Sequence, residues 1–229
     1  MLASSPYYAH VRPELIALVP DDVMNLVDVG CGAGGTCGAL KSTRPGLVVR
    51  GVELMPEPAA LARKLLDEVV CGSAEAPMPD HWPAPDCLIF GDVLEHLVDP
   101  WSVLNDWVGR LKPGGTVVAS IPNVGHQSVL SPLIRGHWRY QDEGVLDRTH
   151  LRFFTRETAL GLLAHANLNI IRLDRIVNKP MGGAFGNLIL AWARRKVRRE
   201  PLQGYRPGFG RFLLDYCTVQ FLFVARKQG

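Results

Sequence analysis

Apolar residues recur along this chain at two spacings, and the alternation between them predicts its elements. Short runs rich in Val, Ile, Leu and Phe, bounded by Gly, Pro or Asp, stand near 25–29, 47–53, 86–91, 116–121, 168–177 and 216–225 and read as strands. Between them, apolar positions fall at helical spacing. Val11, Leu15, Leu18 and Val19 predict a short helix over 11–19 with Pro13 in its first turn. Further helices are expected from Thr36, over 57–68 with Leu61, Leu65 and Leu66 together at helical spacing, from Trp101 to Leu111, and over 156–166 behind a Thr155 cap. Lys112-Pro113-Gly114-Gly115 stops the Trp101 helix. Strands alternating with helices predict an α/β fold with a mainly parallel sheet and helices on both faces, and ligands then bind outside the carboxyl ends of the strands. The interval 122–155 reads as a long irregular loop, aromatic and charged, and such loops are usually functional.

With 229 residues, the chain suits one domain. We divide it into a lid helix over 1–20, a core over 21–177 that includes a cap at 122–155, and a basic helix with the last strand over 178–229. A secretory leader is not expected, and the apolar stretches near 184–192 and 216–225 fall short of a membrane span of roughly 20 residues. Cysteines at 31, 37, 71, 87 and 217 form no Cys-x-x-Cys pair, and the odd count points to a reducing cytoplasm. Formal net charge is +3, yet the run Arg194, Arg195, Lys196, Arg198 and Arg199 alone carries +5. The basicity is local. That run suits a solvated helix face, with a peripheral membrane or polyanion contact as the alternative, and nucleic acid is not expected.

The run Val27-Asp28-Val29-Gly30-Cys31-Gly32-Ala33-Gly34-Gly35 takes a strand straight into a glycine-dense turn, and Glu53 ends the next strand. Glycines there permit positive φ and a close backbone approach, and an acid about 20 residues on suits two ribose hydroxyls. A nucleoside site follows. A dinucleotide turn would read Gly-x-Gly-x-x-Gly, whereas Asp28 stands two residues before Gly30, where a carboxylate would repel a pyrophosphate and attract an ammonium group.

In this spacing the chain resembles the class I S-adenosylmethionine-dependent methyltransferases. Phe90-Gly91-Asp92-Val93-Leu94-Glu95-His96-Leu97, which is close to the ubiquinone-type branch, and Leu111-Lys112-Pro113-Gly114-Gly115 carry the same resemblance. It implies a Rossmann-like seven-strand sheet and S-adenosylmethionine held by Asp28, Gly30, Gly32, Gly34, Glu53, Leu54, Asp92 and Val93. Ser73 stands where an aspartate is common, with the Ala74 backbone beside it for the adenine ring. Tyr7 and Tyr8 would fold over the cofactor as part of the lid.

Methyl transfer to a hydroxyl needs a base, and histidine suits that near neutral pH. His96, His126, His137 and His150 all follow strand ends. His150 is the first candidate and His96 the second. Pro122-Asn123-Val124-Gly125-His126 and Asp147-Arg148-Thr149-His150-Leu151-Arg152-Phe153-Phe154-Thr155 resemble phrases of methyltransferases found beside bacterial glycosyltransferases, which implies O-methylation of a sugar, polysaccharide or small natural-product acceptor. An N- or C-methyltransferase, or a non-catalytic S-adenosylmethionine-binding partner, is the alternative. On a helix start, Asp92, Glu95 and His96 would share a face. With His150 they resemble the Glu-x-x-Glu-His metal sites of small-RNA 2′-O-methyltransferases and some ubiquinone O-methyltransferases. A divalent ion there is the secondary expectation, because Asp92 is one methylene short of the usual glutamate.

Overall fold

A computed structural model describes residues 10–177, 191 and 208–228. Seven strands form one sheet: β1 (Asn25–Val29), β2 (Val48–Glu53), β3 (Glu68–Cys71), β4 (Cys87–Gly91), β5 (Thr116–Pro122), β6 (Leu168–Val177) and β7 (Thr218–Lys227), in the order β3-β2-β1-β4-β5-β7-β6. Pairings from β3 through to β5 are parallel, while β7 runs antiparallel to both β5 and β6. The chain winds outward from β1 to β3 and then returns to place β4 on the other side of β1. That reversal opens a crevice at the carboxyl ends of β1 and β4, where the glycine turn and Asp92 both fall.

Seven α-helices among the described residues surround the sheet: α1 (Pro13–Ile16), α2 (Gly35–Thr43), α3 (Pro56–Ala62), α4 (Pro100–Arg110), α5 (Gln127–Ile134), α6 (Arg156–His165) and α7 (Phe209–Cys217). Two hydrophobic clusters, one on each face, fill the space beneath them. One joins Phe90, Leu104, Trp107, Leu162 and Phe221, and the other Leu15, Leu40, Val49, Ile89 and Val118. No helix among the described residues is long and apolar enough to cross a membrane.

Local chemistry accounts for where the elements depart from the sequence pattern. The expected helix over 57–68 ends at Ala62, and its buried face is Pro58, Ala59 and Ala62, leaving Leu61 and Leu65 exposed. Small residues face inward because α3 lies against the glycine turn; a Cβ on Gly34 would stand 3.0 Å from Ala62 Cα. Asp67 then starts β3 by exchanging bonds with Val49, accepting from its N–H at 2.8 Å and donating to its carbonyl at 2.9 Å. Of the expected first helix, only Pro13–Ile16 is helical, and Val11 is exposed. The cap is not wholly irregular, since α5 forms in it behind a His126 side-chain cap. Helix α7 occupies 216–217, where a strand was expected, and yields to β7 at Thr218, whose hydroxyl donates to the Leu214 carbonyl at 2.7 Å.

Two glycines make opposite predictions. A Cβ on Gly51, in β2, would lie 2.6 Å from Cys31 Sγ. Gly51→Ala should therefore cost about 1–3 kcal/mol, read as a lower urea midpoint at unchanged slope. Gly161 sits on the exposed side of α6 with nothing within 4 Å of a Cβ. Gly161→Ala should raise stability by about 0.5–1 kcal/mol in the same experiment.

Candidate functional site

The glycine turn is built by backbone alone. Gly30, Gly32 and Gly34 have φ of 77°, 55° and 79°, a region that L-residues with side chains avoid. Gly30 and Cys31 both donate to the Val52 carbonyl, at 2.8 and 3.0 Å, which ties the turn to the end of β2. Val93, two residues past β4, closes it, since a Cβ on Gly30 would be 2.4 Å from Val93 Cγ2. Glu53 accepts from Gly32 N–H and from Met55 N–H, both at 2.9 Å. Each carboxylate oxygen keeps a lone pair, so ribose hydroxyls can still be taken.

Asp28 lies beneath this turn, 5% exposed. Burial pushes its carboxyl up to about 6, against a hydrogen bond from the Cys37 thiol that holds it down. Leu54 stands exposed at the rim. Ser73 Oγ accepts from Glu75 N–H at 3.1 Å, leaving its hydroxyl proton to donate. The Ala74 carbonyl is taken by the Trp107 indole N–H at 2.9 Å, so a backbone contact with a base there falls to the N–H.

Asp92 ends β4 in the left-handed region, with φ 58°. Its backbone N–H donates to Ser120 Oγ at 3.0 Å, and the Ser120 hydroxyl returns a bond to Oδ1 at 2.7 Å. Gln220 donates to Oδ1 and the Arg12 guanidinium to Oδ2. Arg12 also reaches Glu14 and the Gln220 side-chain oxygen, and its backbone N–H bonds Thr36 Oγ1 at 3.1 Å. Burial alone would lower the Arg12 pKa, but Asp92 and Glu14 hold it above the ordinary value. Neither Arg12 nor Gln220 stood out in the sequence. They lie 80 and 128 positions from Asp92, and no local pattern marks them.

Glu95, His96 and His150 form a second cluster. The expected helix start is only a 3-10 turn over Leu94–His96, and Asp92 lies before it in the left-handed region rather than on a helix with the other two. Among the described residues it stays with Arg12, outside the group of possible ligands, which is Glu95, His96 and His150 with ligand atoms all within 4.8 Å of one another. The Glu95 carbonyl accepts from Leu151 and Arg152 N–H at 2.8 and 2.9 Å, which docks the cap on this turn. His150 Nδ1 faces the Val145 carbonyl at 3.1 Å, and His96 Nδ1 faces the Thr149 carbonyl at 3.2 Å. A carbonyl only accepts, so both Nδ1 atoms carry the proton and both Nε2 atoms present a lone pair. The rings meet edge to face at 4.7 Å. Burial, and then the neighbouring His150, lower the His96 pKa.

Glu95 itself is 1% exposed, and neither carboxylate oxygen has a hydrogen-bond partner. His150 Nε2 is 4.0 Å from Oε1. Burial, together with the charge of Asp92, pushes the Glu95 carboxyl well above the ordinary range. Other candidates fall away from this cluster. His126 caps α5 through Nδ1, accepting from Ser128 N–H at 3.2 Å, and His137 is exposed. Arg148 pairs with Asp142 at 2.5 Å, and Arg152 bonds the Val98 carbonyl beside Trp101. Tyr7, Tyr8 and the run Arg194–Arg199 lie outside the described residues.

The folded Asp28 value lies above the unfolded value of 3.8, so the folded state binds the proton more tightly. Stability is therefore highest below pH 4 for this group and is lost as pH rises towards 6, by roughly 3 kcal/mol. Asp28→Asn should remove that slope from the pH dependence of urea unfolding and leave the protein more stable than wild type at pH 7.5.

Residues 5–173 match the family model described as a methyltransferase domain. A ubiquinone biosynthesis O-methyltransferase of Shewanella sp. (strain ANA-3) is 27% identical over 166 residues, 70% of each chain. A trans-aconitate 2-methyltransferase of Azoarcus sp. (strain BH72) is 34% identical over 115 residues, covering 48% of this chain and 44% of the relative. Among solved structures, a Thermotoga maritima methyltransferase, described as a possible histamine N-methyltransferase, superposes with a TM-score of 0.60 at 19% identity, over 93% of this chain and 86% of that one. The positive-φ glycine turn, the acid at the end of β2, and the matched domain agree: the chain belongs to the class I S-adenosylmethionine-dependent methyltransferases.

Proposed function

We propose that this enzyme methylates a hydroxyl oxygen on a sugar, polysaccharide or small natural-product acceptor, in the cytoplasm, with His150 as general base and His96 as second candidate. What supports the reading is the pair of imidazoles, 4.7 Å apart between ring centroids, whose Nδ1–H groups are anchored on backbone carbonyls, leaving both Nε2 lone pairs to accept a proton. S-adenosylmethionine supplies an electrophilic methyl on a sulfonium. Glu53 would hold its ribose, the glycine turn its methionine portion, and Asp28 would favour the ammonium end. His150 Nε2 would take the hydroxyl proton of an acceptor aligned with that sulfonium methyl. Of the relatives, one is named for ubiquinone O-methylation and one for trans-aconitate.

A second reading, a divalent ion on Glu95, His96 and His150, is favoured by one observation: the buried Glu95 carboxylate has both oxygens unpartnered. One carboxylate and two imidazoles fit Mn²⁺, Fe²⁺ or Zn²⁺, which would lower the acceptor's pKa. Asp92 does not belong to that set.

Product formation over a panel of glycosylated and phenolic acceptors tests the main reading. His150→Ala should lower kcat by about 10²–10⁴ while S-adenosylmethionine affinity, measured by calorimetry, holds. Cofactor binding with no turnover on any acceptor would instead favour the non-catalytic role, and near-wild-type turnover in the double His96→Ala, His150→Ala variant an N- or C-methyltransferase. For the ion, metal analysis of the purified protein and assay in EDTA decide; full activity in EDTA with no bound metal sinks the second reading.

A further inference from the structure

Ile134, 85% exposed, and Phe209, 68% exposed, are the two large apolar side chains most open to water among the described residues. Each belongs to a run. Every residue from Leu133 to Tyr140 is exposed, Ile134, Trp138 and Tyr140 among them. On α7, Phe212 stands three residues beyond Phe209 and Tyr216 seven beyond it, so the three share one stripe of the helix. The Phe212 and Tyr216 rings stack with centroids 5.7 Å apart.

The two runs adjoin. The Tyr216 hydroxyl and Ser131 Oγ are hydrogen-bonded at 2.6 Å, which joins α7 to α5 on the side of Ser131 and Ile134. At the end of α5, Gly136 has a φ of 80° and the His137 N–H donates to the Pro132 carbonyl at 3.0 Å, so the chain folds back and keeps Trp138 beside the helix end. The buried side of α5 is already filled, with Val129 packed against Val145 and Leu146. Single apolar residues on a surface are ordinary, whereas an adjoining set rich in aromatic rings marks a surface that something covers.

Charge says what covers it. Arg135 and Arg139 stand within the exposed run, and 127–140 contains no acid. Acids of the cap come later. Asp142 pairs with Arg148 at 2.5 Å, Glu143 follows it, and Asp147 accepts from Thr149. Aliphatic and aromatic side chains interleaved with arginines suit the boundary between lipid headgroups and acyl chains, where Trp and Tyr rings are at home. A second copy of the chain would bring the same arginines and no acid from this stretch, so like charges would meet.

We propose that Ile134, Trp138, Tyr140, Phe209 and Phe212, with Arg135 and Arg139, attach the protein to an anionic lipid surface. The apolar side chains enter the headgroup boundary and the arginines meet lipid phosphates. Trp138 packs on Phe153 at 5.2 Å between centroids, and Phe153 lies 6.4 Å from the His150 ring, so the attached surface is two ring contacts from the candidate base. An acceptor embedded in lipid would therefore approach His150 from the attached side. That consequence rests on the hydroxyl-methylation reading above; attachment itself does not.

Cosedimentation of the full chain with vesicles of equal parts phosphatidylglycerol and phosphatidylcholine, without S-adenosylmethionine or acceptor, tests the surface. Binding is expected, and it should be much weaker on pure phosphatidylcholine or in high salt. The double variant Ile134→Ser, Phe209→Ser should weaken it about tenfold or more. Arg135→Gln with Arg139→Gln should weaken it about fivefold or more on the anionic vesicles and leave binding to pure phosphatidylcholine unchanged. All four side chains are exposed, and an unchanged urea midpoint checks that the variants fold. No binding to the anionic vesicles, equal binding to neutral ones, or binding undiminished in the Ile134, Phe209 variant overturns the proposal. So does a dimer in light scattering that this variant disperses, which would assign the surface to a second copy. Methyl transfer to water-soluble acceptors is measured apart from lipid, so failure of the attachment and failure of the methylation reading are told apart.

Discussion

Everything on the acceptor side depends on the Glu95 carbonyl, which receives the backbone N–H groups of Leu151 and Arg152. Those two bonds fasten a segment more than fifty residues away to the end of β4. They bring His150 against His96, and they hold the Glu95 side chain inward where water cannot reach it. The docking has an electrostatic cost. A carboxylate excluded from water without donors is expensive, and it is retained only where a proton or a cation answers it.

The two halves of the site are made from different materials. The proposed cofactor half is mostly backbone: three glycines in the left-handed region and the Val52 carbonyl, with Glu53 bonding N–H groups at 32 and 55. The Asp28 and Val93 side chains sit beneath or against the turn. The proposed acceptor half is side chains on a docked cap, with aromatic rings of Trp138, Tyr140 and Phe153 packed edge to face or tilted beside His150. Backbone recognition suits an invariant ligand; a cap of side chains can be rebuilt for new acceptors over the same sheet.

That division explains what could be read from the residues alone. Glycine chemistry and strand period are local, so β1, β2, β4, β5 and the turn at 30–34 were legible. The helix over 57–68 was drawn too long from the spacing of its leucines; it ends at Ala62, Leu66 alone of the three is buried, and close approach of α3 to Gly34 demands alanines. The four-residue β3 at the sheet edge is too short to carry a period. His96 and His150 were chosen for their chemistry and do meet, while Asp92 was assigned to their face on the assumption of a helix that the 3-10 turn replaces. Arg12 and Gln220 were invisible, since an ion pair across 80 positions leaves no local mark.

Asp92 also ties distant parts of the chain together. Its partners come from opposite ends of the described chain, Arg12 before the first strand and Gln220 in the last, with Ser120 of β5 between them. One carboxylate therefore splices the approach to α1, the parallel strand β5 and the antiparallel strand β7 at the lip of the crevice, so a disturbance at either end of the described chain is felt there.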